Sequence, residues 1–498
     1  MYLSKSKYCN GYQCKKILWL DKYKQEVKEE VSNESVLDNG TEVGELARGL
    51  LGPYINIEFN ESLNEMIKDT RKVLEEHSSC NITEASFDYN GNFCSVDILK
   101  KENNKYSIYE VKSSTEVKDI YLEDASYQYY VLTSLGYDVE KVYIVHINNK
   151  YVRKGNLDIK KLFKIEDITS TAKEKRQEVE KTIKDINKYM ESKEEPQEKI
   201  GMQCSTPYDC PFFAYCTKDL EKPNVFDIRN MKMASKLKLY NNNMISFKEL
   251  LKDGTIGWKY LEQIDYELND KEPKIEIDKI NEFLDTLTYP LYFLDFETFQ
   301  QAIPKYDDIS PYEQIPFQYS LHYLLNETDQ LQHKEFLAQA GIDPRRSLAE
   351  QLVKDIPEDV CTLAYNMRFE KMVIYKLASL YPDLRDHLMN IHKNMKDLMV
   401  PFRDRNFYTK EMQGSYSIKY VLPALFPNDP SLNYHNLEEV HNGSEAMNAY
   451  ANMGNLTKEE QESLRNNLLK YCGLDTYAMV KIYEKLEEVT NNKVLIKK

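Results

Sequence analysis

Apolar positions recur along the chain with two periods. Ile82–Tyr89, Phe93–Leu99 and Tyr106–Lys112 are short, rich in β-branched and aromatic residues, and separated by the turn pairs Asn90-Gly91 and Asn103-Asn104. This pattern predicts three strands joined by tight turns. Helical spacing precedes them over Thr41–Leu51 and Asn60–Glu76, the second with Leu63, Met66, Ile67 and Leu74 in one stripe. A helix over Leu122–Leu135, stopped by Gly136, and a strand at Val142–Ile147 should follow. Helix, three strands, helix and strand read as an α/β sandwich.

On either side the pattern is mainly helical. Residues 1–20 form an arm ending in the amphipathic stretch Cys14–Leu20, and residues 21–38 are polar and acidic, which predicts a loop. Residues 172–199 are densely charged, yet Val179, Ile183, Ile186 and Met190 step by four, three and four, as in a solvated helix packing by one stripe. Residues 222–285 read as helices joined by polar turns. A second α/β region begins near Tyr289, with strands expected at Leu291–Phe296, Phe317–Leu325, Gln332–Leu337 and Cys361–Tyr365 and helices after them. The predicted organisation is therefore residues 1–220, a helical connector over 221–288, and residues 289–498.

Composition narrows the function. The 498 residues carry a net charge of −15, which argues against a protein that coats nucleic acid by bulk charge but leaves carboxylate-bearing enzymes open. No apolar run approaches the ~18 residues of a membrane span, and the first residues lack the apolar core of a secretory signal. A cytoplasmic protein with no membrane partner is expected. The nine cysteines are scattered except at 204–216, and in a reducing compartment such a cluster suggests metal rather than disulfides.

Three constellations carry candidate chemistry. In the first, Glu110 and Lys112 are two apart on one strand and share a face, and a hairpin partner can bring Asp97 beside them. Two carboxylates can hold a hard divalent cation, and a nearby lysine can position water and support charge at a phosphate. With Asp124 and Gln128-Tyr129-Tyr130 on the following helix, residues 1–216 resemble the PD-(D/E)XK nucleases of the RecB type, which include the CRISPR-adaptation nucleases and the AddB nuclease module. The resemblance implies that Asp97 and Glu110 bind metal, that Lys112 is the catalytic lysine, and that Gln128 contacts the active site or nucleic acid. Tyr129 or Tyr130 would stand near the family's tyrosine. The family's first-helix histidine is missing; Glu45 is the acid near that place, and Glu84 reads as an exposed strand residue.

The second constellation is Cys204-x5-Cys210-x5-Cys216, which wants a fourth thiol from Cys14 or Cys9. The short paired spacings usual for zinc are absent, so a [4Fe–4S] cluster is favoured over Zn2+. RecB-type nucleases with such clusters take one cysteine before the nuclease core and three after it. That resemblance implies Cys14 as the first ligand and a structural buckle closing the domain.

In the third, the apolar strand from Leu291 ends in Asp295 and Glu297, two acids on one face, whose burial is costly without a cation. Glu370 enters a later helix, and Tyr471 and Asp475 are four apart on one helical face. Residues 289–490 resemble the tyrosine-containing DEDD exonucleases, the DnaQ-like branch of the ribonuclease H fold. The resemblance implies Asp295 bridging two metals, Glu297 and Asp475 on the ion that activates water, Glu370 on the second ion, and Tyr471 orienting the nucleophile. Glu370 stands where the family has Asp. Asp397 is a further acid, and Gly414–Lys419 resembles the segment lining the substrate channel. The resulting expectation is a two-headed nuclease needing Mg2+ or Mn2+ and acting on single-stranded ends, DNA before RNA. The alternative is a nucleic-acid-binding or assembly protein with one or both sites idle.

Overall fold

The structure is a computed structural model; it describes residues 2–30, 34–432, 437 and 440–494, without the side chains of 34–39 and 492–494. The chain is mixed α/β and divides into two compact units. One holds residues 1–219 and 301–313, the other residues 220–300 and 314–498. No described helix is long and apolar enough to cross a membrane.

The first unit is built on a seven-stranded sheet. Its order is Ile55–Asn56, Ser79–Tyr89, Asn92–Glu102, Lys105–Lys112, Asp138–Ile147 and Phe163–Asp167, and Leu3–Ser4 lies parallel to the start of Asn92–Glu102. Asn90 and Gly91 both adopt positive φ, 53° and 81°, the conformation a two-residue hairpin turn demands. Alternation along the strands feeds two cores. Ile108 and Ile144 pack under Lys5–Gln13, Lys15–Tyr23, Asp119–Ser134 and Thr169–Glu191, while Tyr109 and Val145 face Val43 and Ala47 of Glu34–Ala47. The charged helix Thr169–Glu191 buries Val179, Ile183, Ile186 and Met190 as its spacing predicts.

Residues 21–38 are more ordered than a loop. Helix Lys15–Tyr23 runs into them, a 3-10 turn follows at Gln25–Val27, and Glu34–Ala47 begins within them; residues 31–33 lie outside the described residues. Residues 301–313 group with the first unit rather than with the 289–498 region expected to contain them. Arg153 donates to the carbonyls of Pro304 and Lys305, each at 2.8 Å, and Ala302 is buried among the apolar residues of the Val43 face.

The second unit holds a five-stranded sheet ordered Gln332–Leu337, Ile315–Leu324, Leu291–Phe299, Cys361–Ala364 and Met395–Asp397. The first three strands are antiparallel and the last two continue in parallel. Leu291 and Phe293 pack against Leu474, Ala478 and Tyr483 of the long helix Lys458–Val494, whereas Tyr292, Leu294 and Phe296 face Val373, Ile374 and Leu377 of Arg368–Leu380. The residues expected to form a separate connector belong here: Val225, Phe247, Leu250 and Ile264 make a small core, but Tyr266 and Ile280 join Phe293 and Leu363.

Candidate functional site

In the first unit the ladder between Ser79–Tyr89 and Asn92–Glu102 pairs Thr83 with Ile98 and then Ala85 with Val96, leaving Glu84 and Asp97 out of register. Glu84 adopts φ +58°, a left-handed conformation that a non-glycine residue takes at a bulge. The pairing with Lys105–Lys112 also stops at Ile98, so the strands part where Asp97 sits. Asp97 Oδ2 accepts the freed amide of Val111 at 2.6 Å. Glu110 and Lys112, in phase with Ile108, point to the helix-covered face.

There the expected residues meet. Lys112 Nζ donates to Glu110 Oε1 at 2.7 Å and to Asp124 Oδ2 at 2.6 Å. Gln128 Nε2 donates to Glu110 Oε2 at 2.6 Å and to Asp124 Oδ1 at 3.2 Å, while its Oε1 is buried without a partner. Burial opposes the charge on Lys112, but Asp124 and Glu110 outweigh it and hold its pKa well above the usual lysine range. The ammonium form of Lys112 is therefore favoured between Glu110 and Asp124.

Two members, Lys5 and Tyr121, escaped sequence reasoning, and a third was read only as context. Lys5, on the first helix, donates to Asp97 Oδ1 at 3.3 Å and to both oxygens of Glu110 at 3.1 and 3.2 Å. Asp124, noted as context, binds both Lys112 and Gln128, and the Tyr121 ring lies 5.3 Å from the Lys112 ammonium. Tyr129 and Tyr130 are buried in the core, with Tyr130 set edge-on to Tyr89. Glu45 is exposed, and Glu84 lies 3.6 Å from the Arg48 guanidinium.

In the same unit one small enclosed cavity is lined by Cys14, Cys204, Cys210 and Cys216 together with Lys16 and Phe212. Cys9 lies elsewhere, where Asp124 and Lys112 act on it. Gln13 ties the arm to the cysteine segment through the carbonyls of Gln203 and Tyr208, each at 2.8 Å. Burial raises all four thiols, Cys210 to about 12.

The second unit gathers its acids on one side of its sheet. Asp295 and Glu297 share the face of Leu291 and Phe293, toward Lys458–Val494, which carries Tyr471 and Asp475. Glu370 lies in the first turn of Arg368–Leu380, buried, with Oε2 lacking a hydrogen-bond partner. Burial first, then Asp475, Glu297 and Glu370, push Asp295 well above the carboxylate range. Glu297 is raised by burial and Asp475 against the pull of Lys419, and burial raises Glu370 to about 8. Asp397 accepts the amides of Asn366 at 2.9 Å and Met399 at 3.1 Å, which fixes the loop leading to Glu370.

Cys472 was not anticipated here. Its thiol donates to Asp295 Oδ2 at 3.8 Å, and ligand atoms of Asp295, Glu297 and Cys472 lie within 4.8 Å of one another. Four carboxylates that act on one another, one of them with an orphaned buried oxygen, are a donor set that fits hard divalent cations. Among the described residues, no three of the four cavity thiols come within that 4.8 Å.

A family model described as a domain of unknown function, DUF2779, matches residues 292–417. The match opens inside the strand bearing Asp295 and Glu297, spans Glu370 and Asp397, and stops short of Tyr471 and Asp475. Comparison with curated proteins found no match.

Proposed function

We propose that the chain is a metal-dependent nuclease with two phosphodiester-hydrolysing sites. The observation that carries the reading is the second unit's acid cluster: Asp295 and Glu297 are buried beside Asp475 and Glu370, and burial with the neighbouring negative charge opposes ionisation of both, while burial raises Glu370. A cluster of this kind is stable and charged only with compensating cations. Mg2+ or Mn2+ held there would supply Lewis-acid stabilisation of a phosphate and an activated water. In this reading Asp295 and Glu297 hold the ions from the central strand, Asp475 closes the set from the helix, and Glu370 takes part with its unpartnered oxygen. Tyr471, one turn before Asp475, orients the nucleophile. The strand order, three antiparallel strands continued by two parallel ones with the acids on the central strand, supports a ribonuclease H-like, DnaQ-type module removing residues from a 3′ end.

The first unit supports a PD-(D/E)XK reading in the same way. Asp97 and Glu110 form the ligand pair, Lys112 neutralises charge at the scissile phosphate, and Gln128 holds Glu110 in place. The four-cysteine cavity can hold a [4Fe–4S] cluster, which is favoured over zinc because Cys204, Cys210 and Cys216 lack the short paired spacings usual for zinc. Its role would be the buckle between the arm and residues 204–216. Single-stranded ends, DNA before RNA, suit both sites.

A second reading has a specific observation behind it. The Lys5 ammonium already lies against Asp97 and Glu110, which favours an idle first site in a nucleic-acid-binding protein. Digestion of 5′- and 3′-labelled single strands with Mg2+ or EDTA, using wild type, Lys112→Ala, Asp295→Ala and the double variant, separates the cases. Two metal-dependent product patterns, each removed by one variant, are expected. No metal-dependent degradation by the wild type would end the nuclease reading.

A further inference from the structure

The two acid clusters differ in how their charge is met. In the second unit carboxylates face one another around Asp295. In the first, Asp97, Glu110 and Asp124 are met by two ammonium groups, Lys112 and Lys5. Lys112 spans Glu110 and Asp124, whereas Lys5 touches three of the four oxygens of the Asp97–Glu110 pair at 3.1–3.3 Å. Those are the oxygens a divalent ion would take at about 2.0–2.6 Å, so ion and ammonium cannot share them.

Lys5 is held there by its neighbours in the chain. Leu3 donates its amide to the Gly91 carbonyl at 2.8 Å and accepts from the Tyr127 hydroxyl at 2.5 Å. Ser4 caps the helix by accepting from the amide of Lys7 at 3.3 Å. Tyr8, fully buried one turn later, stacks on Tyr127 with ring centroids 4.8 Å apart. The backbone is thus pinned, while the ammonium hangs on a flexible four-carbon stem. A tethered cation of this kind competes with a free one at high effective concentration.

We infer that Lys5 sets the metal requirement of the first site: it stands in for the ion between Asp97 and Glu110, and a divalent cation binds only by displacing it. The inference rests on reading Asp97 and Glu110 as metal ligands.

The test measures metal binding directly. In the full-length chain carrying Asp295→Asn and Glu297→Gln, so that the second site does not contribute, free Mn2+ is followed by electron paramagnetic resonance during titration. Replacing Lys5 by Met, or by Gln should the Met variant fold poorly, should tighten one Mn2+ site by ~10-fold or more, the scale of a lost charged contact. Lys5→Arg, which keeps the cation, should stay as weak as the parent, and adding Asp97→Asn should abolish the tightened site. Equal or weaker binding in Lys5→Met and Lys5→Gln overturns the inference while leaving an Asp97-dependent metal site standing. Lys5→Arg binding as tightly as Lys5→Met overturns it too. Absence of any Asp97-dependent Mn2+ binding in every variant overturns both the inference and the metal reading beneath it.

Discussion

Asp97 accepts the backbone amide of Val111 at 2.6 Å, so the side chain read as a metal ligand also replaces a missing sheet hydrogen bond. The two roles separate by mutation. Asparagine keeps an acceptor for the amide but loses the charge; alanine loses both. Asp97→Asn should therefore unfold at nearly the wild-type denaturant midpoint, whereas Asp97→Ala should lose about 1 kcal/mol or more. Both should abolish the product pattern of the first site. Equal midpoints in urea titrations of the two variants would refute the structural role.

Metal-free protein should become less stable as pH rises. Asp295, Glu297 and Glu370 have folded pKa values above their unfolded ones, so the native state binds more protons in between. Their contribution is complete below the unfolded carboxylate range and is lost as pH climbs toward the raised values, about 8 for Glu370. Thermal melts in EDTA between pH 5 and 8 should fall for the transition that Asp295→Asn alters, and Mg2+ should flatten the slope. A rise with pH would show that the acids are compensated without metal.

Protein purified without oxygen should be brown, with the broad absorbance of an iron–sulfur group. Cys210→Ser should bleach it and lower the melting temperature of the first unit, because the link between the arm and residues 204–216 is lost. Cys9→Ser should keep the colour, since Cys9 lies away from the cavity. Colourless protein containing stoichiometric zinc by elemental analysis would replace the iron assignment.

Tyr471→Phe removes the hydroxyl read as orienting the nucleophile. Release of 3′-labelled nucleotide should slow by about 10²-fold, as for loss of one well-placed donor, with Mn2+ affinity of the second site within twofold of wild type. An unchanged rate would reduce Tyr471 to a packing residue.

Much of this arrangement was legible because local pattern and global fold agree. Asn90-Gly91, the alternation through Tyr106–Lys112 and the stripe Val179, Ile183, Ile186 and Met190 each state their own conformation. Asp295 and Glu297 stood out because charges rarely end a buried strand. Lys5 gave no such sign: Ser4-Lys5-Ser6-Lys7 has no periodicity, and its partners lie 92 and 105 residues away. Cys472 was hidden between two residues of stronger signal. The strand Met395–Asp397 is three residues long, too short for alternation to register, and the grouping of residues 301–313 with the first unit depends on contacts with Arg153 that no local pattern encodes.

The two acids of the strand Leu291–Phe299 occupy odd-numbered positions, and its even-numbered ones fill the opposite core. Losing or gaining a single codon ahead of Asp295 would invert the ribbon, driving both carboxylates into the space of Leu294 and Phe296 and turning those side chains outward. Tolerable length changes among natural variants should accordingly cluster in the segments before Leu291 and after Phe299, with the stretch between them altered by substitution alone.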